Sequence, residues 1–98
     1  MKLYTPKSTT ESKPVPFEAM QYGTDKEADV HVKHCYMGYN NEILKIPGDM
    51  MGTPKNAFYA VKTVNGWQRI ENGDFIVIED GEPMLIPYAV FQLSFDEA

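Results

Sequence analysis

The chain reads as an α+β fold that is mainly β, a small curved antiparallel sheet or partly open barrel with one amphipathic helix. Three observations carry that reading. Short runs rich in β-branched and aromatic residues fill the second half, at residues 57–64, 67–70 and 75–78, and such residues suit a pleated, half-buried surface. Turn residues separate them at close intervals, as Asn65-Gly66, Asn72-Gly73-Asp74 and Asp80-Gly81, which joins neighbours antiparallel instead of through long crossovers. Only residues 25–37 space their apolar side chains as a helix does.

Taken in order, residues 1–13 are polar, with Ser8-Thr9-Thr10-Glu11-Ser12-Lys13 offering nothing to bury. They read as a flexible N-terminal arm, or an extended wrap onto a partner. Residues 14–98 read as a single β-rich domain, the size a lone hydrophobic core supports. Val15, Phe17 and Ala19 alternate with Pro16, Glu18 and Met20, the period of a half-buried strand, and Pro16 puts that strand at an edge or delays its start. Gly23 ends it. Thr24 and Glu27 stand at capping-box spacing, and Ala28, Val32, Cys35, Tyr36 and Tyr39 follow as one helical stripe, closed by Gly38 and Asn40-Asn41.

Ile43-Leu44-Lys45-Ile46 is a short strand stopped by Pro47-Gly48-Asp49, and residues 50–56 form a loop. The strand 57–64 turns at Asn65-Gly66, the strongest hairpin signal in the chain because a type I′ turn needs positive φ at both central positions. Residues 67–70 return, Glu71-Asn72-Gly73-Asp74 turns again, and residues 75–78 pair through Asp80-Gly81 with residues 84–86. Pro87 opens a helical turn, and residues 92–95 close as a last strand.

Charge is divided unevenly. The net charge is −5, yet residues 1–69 hold all nine Lys and Arg, while residues 70–98 hold seven acids and no base. A net negative chain is not expected to bind nucleic acid; an acidic third can steer a basic partner, although acids also populate hairpin turns for local reasons. The single cysteine, Cys35, forms no internal disulfide and fits a reducing compartment. No apolar run approaches the ~20 residues of a membrane span, and the opening residues lack the apolar core of a secretory signal. A soluble cytoplasmic protein without a membrane partner is expected.

Lys13-Pro14-Val15-Pro16-Phe17-Glu18-Ala19-Met20-Gln21-Tyr22, then Gly73-Asp74-Phe75-Ile76-Val77, Asp80-Gly81-Glu82 and the closing Pro87 to Phe95 segment, occur in the order found in a group of small proteins. In these pieces the chain resembles the mostly uncharacterised proteins of tailed phages and prophages that open "KPV-x-x-EA-x-Q-aromatic" and carry a late "GD-aromatic-I-I/V" strand. The resemblance covers both ends and leaves residues 31–60 unmatched. It implies life in a bacterial cytoplasm and a role in binding other proteins; the group carries no activity to transfer residue by residue.

Chemistry-bearing residues are sparse. His31, His34 and Cys35 are the only cluster of soft ligands; on a helix His31 and Cys35 would share a face. With no second Cys, a zinc site would need carboxylates such as Asp29 or Glu42 to complete it. A Cys–His nucleophile pair would need an accessible, electropositive thiolate, and Glu71, Asp74, Glu79 and Asp80 sit in turns, away from the burial that tunes catalytic carboxylates. No phosphate-binding glycine loop or H-E-x-x-H occurs. No enzyme activity, metal or cofactor is therefore expected. The expected function is a non-catalytic accessory protein that binds a host or phage protein through Trp67, Glu79, Asp80, Glu82 and Tyr88. Trp67 reads more readily as a core anchor than as an interface residue, and Tyr36, Tyr39, Tyr59 and Tyr88 read either as a shared binding face or as seals at the ends of a barrel. The alternative is a homo-oligomeric virion component whose arm wraps a neighbour.

Overall fold

The computed structural model describes residues 2–7, 15–49 and 51–98. It is mainly β, with two antiparallel sheets, one of them curled into a half-barrel, and one α-helix. Nine strands occur among the described residues: β1 Lys2–Pro6, β2 Phe17–Gln21, β3 Val32–Met37, β4 Ile43–Lys45, β5 Phe58–Thr63, β6 Gly66–Arg69, β7 Phe75–Glu79, β8 Glu82–Ile86 and β9 Phe95–Glu97. The helix α1 is Tyr88–Ser94. The five-stranded sheet runs β8-β7-β2-β1-β9 and the four-stranded sheet β4-β3-β5-β6.

Alternation along the central strands explains why both faces of the five-stranded sheet are covered. Ala19, Phe75 and Val77 point to one side and pack with Tyr4 and with Phe91 of α1. Met20 and Ile76 point to the other and meet Ala28, Val61 and Ile70, which come from the turn before β3 and from the four-stranded sheet. Phe75-Ile76-Val77 are consequently buried in succession, the pattern of a strand with cover on both sides. The expectation that Met20 faces outward fails for the same reason: it is only 3% exposed.

The two sheets separate at the Glu71–Asp74 turn. The Asp74 carboxylate accepts the amide of Glu71 at 3.0 Å and, through its other oxygen, the amide of Tyr88 at 2.9 Å. One side chain thus fixes the turn and caps α1, whose N-cap residue is Pro87. α1 runs on through Ser94 and displaces the expected strand at 92–95, because Phe91 must turn inward onto Phe75; the last strand begins at Phe95.

Three further expectations are corrected. Residues 25–37 are not one helix: a 3₁₀ segment, Lys26–His31, gives way to β3. As a strand this stretch finds partners on both edges, β4 and β5, and buries Cys35 completely. β-branched Val32, which opens β3, also favours extended backbone. The capping box does not form either; the N-cap falls on Asp25, whose carboxylate accepts the Gln21 amide at 2.9 Å. Finally, Lys2–Pro6 is no arm. It is β1, paired with β2 on one side and β9 on the other, with Tyr4 in the core. Of the rest of the expected arm, residue 1 and residues 8–13 lie outside the described residues.

The Asn65-Gly66 hairpin forms where expected, but its turn is not type I′. Thr63 pairs with Gly66, so Val64 and Asn65 are central, and the positive φ falls on Gly66 alone. Thr63 Oγ1 accepts the Asn65 amide at 3.2 Å and donates to the Gly66 carbonyl at 2.9 Å, which sets this geometry. The type I′ conformation belongs instead to Asp80 (φ 53) and Gly81 (φ 79), between the paired Glu79 and Glu82.

Burial pushes the phenols of Tyr4 and Tyr22 and the thiol of Cys35 above their ordinary values; nearby Glu97 and Asp25 add to the effect at Tyr4. Each group is an acid held neutral by the fold. The unfolded chain therefore ionises first, at its ordinary 9.0 or 10.0. The stability these groups contribute is complete below those values and is lost as pH rises through the raised native ones. Urea midpoints should hold steady through neutrality and fall from about pH 9 upward; a midpoint still constant at about pH 11 would remove the argument.

Candidate functional site

The acidic hairpin tip stands beside a second hairpin tip. The β7–β8 turn brings Glu79, Asp80 and Glu82 to one wall of an open groove of about 370 Å³; Val64, Asn65 and Gln68 of the β5–β6 hairpin form the other. Pro83, Met84 and Leu85 supply its apolar lining. Pro83 is tolerated within β8 because β8 is an edge strand.

The register places like charges together. Glu79 and Glu82 are direct partners across the hairpin, with Asp80 in the turn between them. Directly opposed like charges destabilise a strand pair. All three acids are exposed, and no ion pair involves them among the described residues. The groove can therefore attract a cation at its rim and seat an apolar group on Met84 and the exposed Val64.

The structure brings together Glu79, Asp80 and Glu82 of the expected surface and leaves the other two apart. Trp67 lies on β6 next to Gln68, so it faces the opposite side of the strand; it is half-buried, with the Lys62 ammonium 5.5 Å from its ring centre. Tyr88 is the first residue of α1 and packs beside Gly73. Nor do the tyrosines share a face: Tyr59 stacks on His34 at 4.7 Å, while Tyr36 and Tyr39 line a separate hollow with Met37 and Leu44. Residues of the uncharged wall, Asn65 and Gln68 above all, carry no sequence signal of a binding site, since only the approach of the two hairpins recruits them.

The His–Cys cluster dissolves. His31 closes the 3₁₀ segment and Cys35 is fully buried within β3, its thiol pushed up by burial despite the lowering influence of Lys45. That is the reverse of what a nucleophilic thiolate requires. Among the described residues no group of three or more His, Cys, Asp or Glu side chains is arranged to hold a metal ion. None of their helices is long and apolar enough to cross a membrane.

No family model matches the chain, and comparisons with curated proteins and with solved structures give no match either.

Proposed function

We propose that the protein is a non-catalytic, phage- or prophage-encoded accessory module of the bacterial cytoplasm that binds a basic segment of a host or phage protein in the groove between its two hairpin tips. The observation that carries this reading is the concentration of uncompensated charge at Glu79, Asp80 and Glu82 over an apolar lining. A fold that meets the cost of opposing Glu79 to Glu82 retains a surface suited to a cationic partner. The competing reading, a homo-oligomeric virion component assembled through the N-terminal arm, loses part of its basis because Lys2–Pro6 is committed to the sheet.

The test is neutralisation of the tip by Glu79→Gln, Asp80→Asn and Glu82→Gln together. Asn still tolerates the positive φ at residue 80. Stability should hold or rise by up to about 0.5 kcal/mol as repulsion is relieved. Affinity for the partner captured from the infected host should fall at least about tenfold, and the wild-type complex should weaken with salt. Unchanged, salt-insensitive binding by the triple variant would sink the proposal.

A further inference from the structure

The charge that the sequence averages away is sorted by the register of the four-stranded sheet. Three cross-strand rows share one face: Lys62 with Trp67, then Lys33 with Ala60 and Arg69, then Lys45 with Cys35 and Phe58. Paired residues in a ladder point the same way, so four cations and two aromatic rings surround the two small, fully buried residues Ala60 and Cys35. No acid stands in any of these rows. All four cations are exposed and both rings half-buried.

Contacts within the face show how loosely its charges are held. The Lys62 ammonium lies 5.5 Å from the Trp67 ring centre and the Arg69 guanidinium 5.2 Å from that of Phe58. Among the described residues Lys33 donates only to the Val30 carbonyl, at 3.3 Å, and Arg69 faces Glu71 at 3.9 Å, with both side chains exposed. An exposed pair at that distance stabilises little and yields to a competing anion.

We propose that this face of the four-stranded sheet binds single-stranded nucleic acid, its cations taking the phosphates while bases stack on Trp67 and Phe58. A positive surface interleaved with aromatic rings is the combination that tracks a flexible phosphate chain without reading its sequence. An acidic peptide would satisfy the cations and leave the rings unused. The expectation of no nucleic-acid partner came from whole-chain charge; a strand meets the local field, and the acidic tip belongs to the other sheet.

Trp67 is the only tryptophan in the chain, so its emission reports on this face directly. The experiment is a titration of the full-length protein with a short oligothymidylate, followed by tryptophan fluorescence. Stacking should quench the signal to saturation. Affinity should fall about 50-fold between roughly 50 and 200 mM salt if four phosphates are engaged, and each of Lys33→Gln and Lys62→Gln should reduce the log–log salt slope by about 0.7. Neutralising the acidic tip should leave this binding intact, which separates it from the proposed protein-binding groove. Absence of quenching at low salt, or full affinity in the double lysine variant, would overturn the assignment. So would equal quenching by polyglutamate, which would hand the face to an acidic peptide or to the acidic hairpin of a second copy.

Discussion

Deleting residues 1–7 should abolish cooperative folding. β1 lies inside the five-stranded sheet, so its loss leaves β9 with no partner and exposes an edge of β2. It also removes Tyr4, which is 8% exposed and meets the rings of Phe91 and Phe75 edge-on at 4.8 and 5.5 Å. Truncating one buried aromatic costs about 3–5 kcal/mol, and two ladders are lost with it, against the ~5–15 kcal/mol a domain has in all. Circular dichroism during urea titration should show no sigmoidal transition in the truncated chain. A transition within about 1 kcal/mol of the full-length value would instead restore these residues to the status of a dispensable arm.

Phe91→Ala should be the most damaging single substitution near α1, at about 3–5 kcal/mol. Phe91 is the one buried residue of that helix, stacked on Phe75 at 3.7 Å between ring centres and in contact with Tyr4, Phe17 and Phe95. Its removal leaves a cavity bounded by rings held on four different strands, which cannot collapse together. Leu93→Ala, two residues on and 81% exposed, should change stability by no more than about 0.5 kcal/mol. Urea midpoints of the two variants decide the matter. Comparable losses would mean that α1 is held by something other than this aromatic cluster.

These residues also show where the sequence is readable. Asp80-Gly81 announces its own conformation, because both residues accept positive φ and short apolar runs flank them on either side. The hairpin at Asn65-Gly66 is equally visible, but its register is decided by the Thr63 hydroxyl, one residue earlier than the motif suggests. Residues 28, 32 and 35 satisfy helical spacing by coincidence. What selects a strand there is the pair of open edges that β4 and β5 supply from further along the chain. β1 is harder still: Leu3 is half-exposed, only Tyr4 turns inward, and β9 lies at the far end of the sequence. Charge follows the same division. The acidic tip is legible since its acids fall within four consecutive residues, whereas Lys33, Lys45, Lys62 and Arg69 converge only through strand register.

The pairing of Tyr4 with Glu97 has a kinetic side. During synthesis β1 leaves the ribosome before β2 and can meet it soon afterwards, yet its other edge stays vacant until β9, some ninety residues later, has been made. Closing so long a loop carries an entropic cost, and non-local pairing of this kind slows folding. In the interval the nascent chain displays an unpaired strand edge beside an unfilled aromatic pocket, the kind of surface that recruits chaperones or a neighbouring chain. The short β9, carrying Asp96 and Glu97, would then act as the latch that ends this exposure.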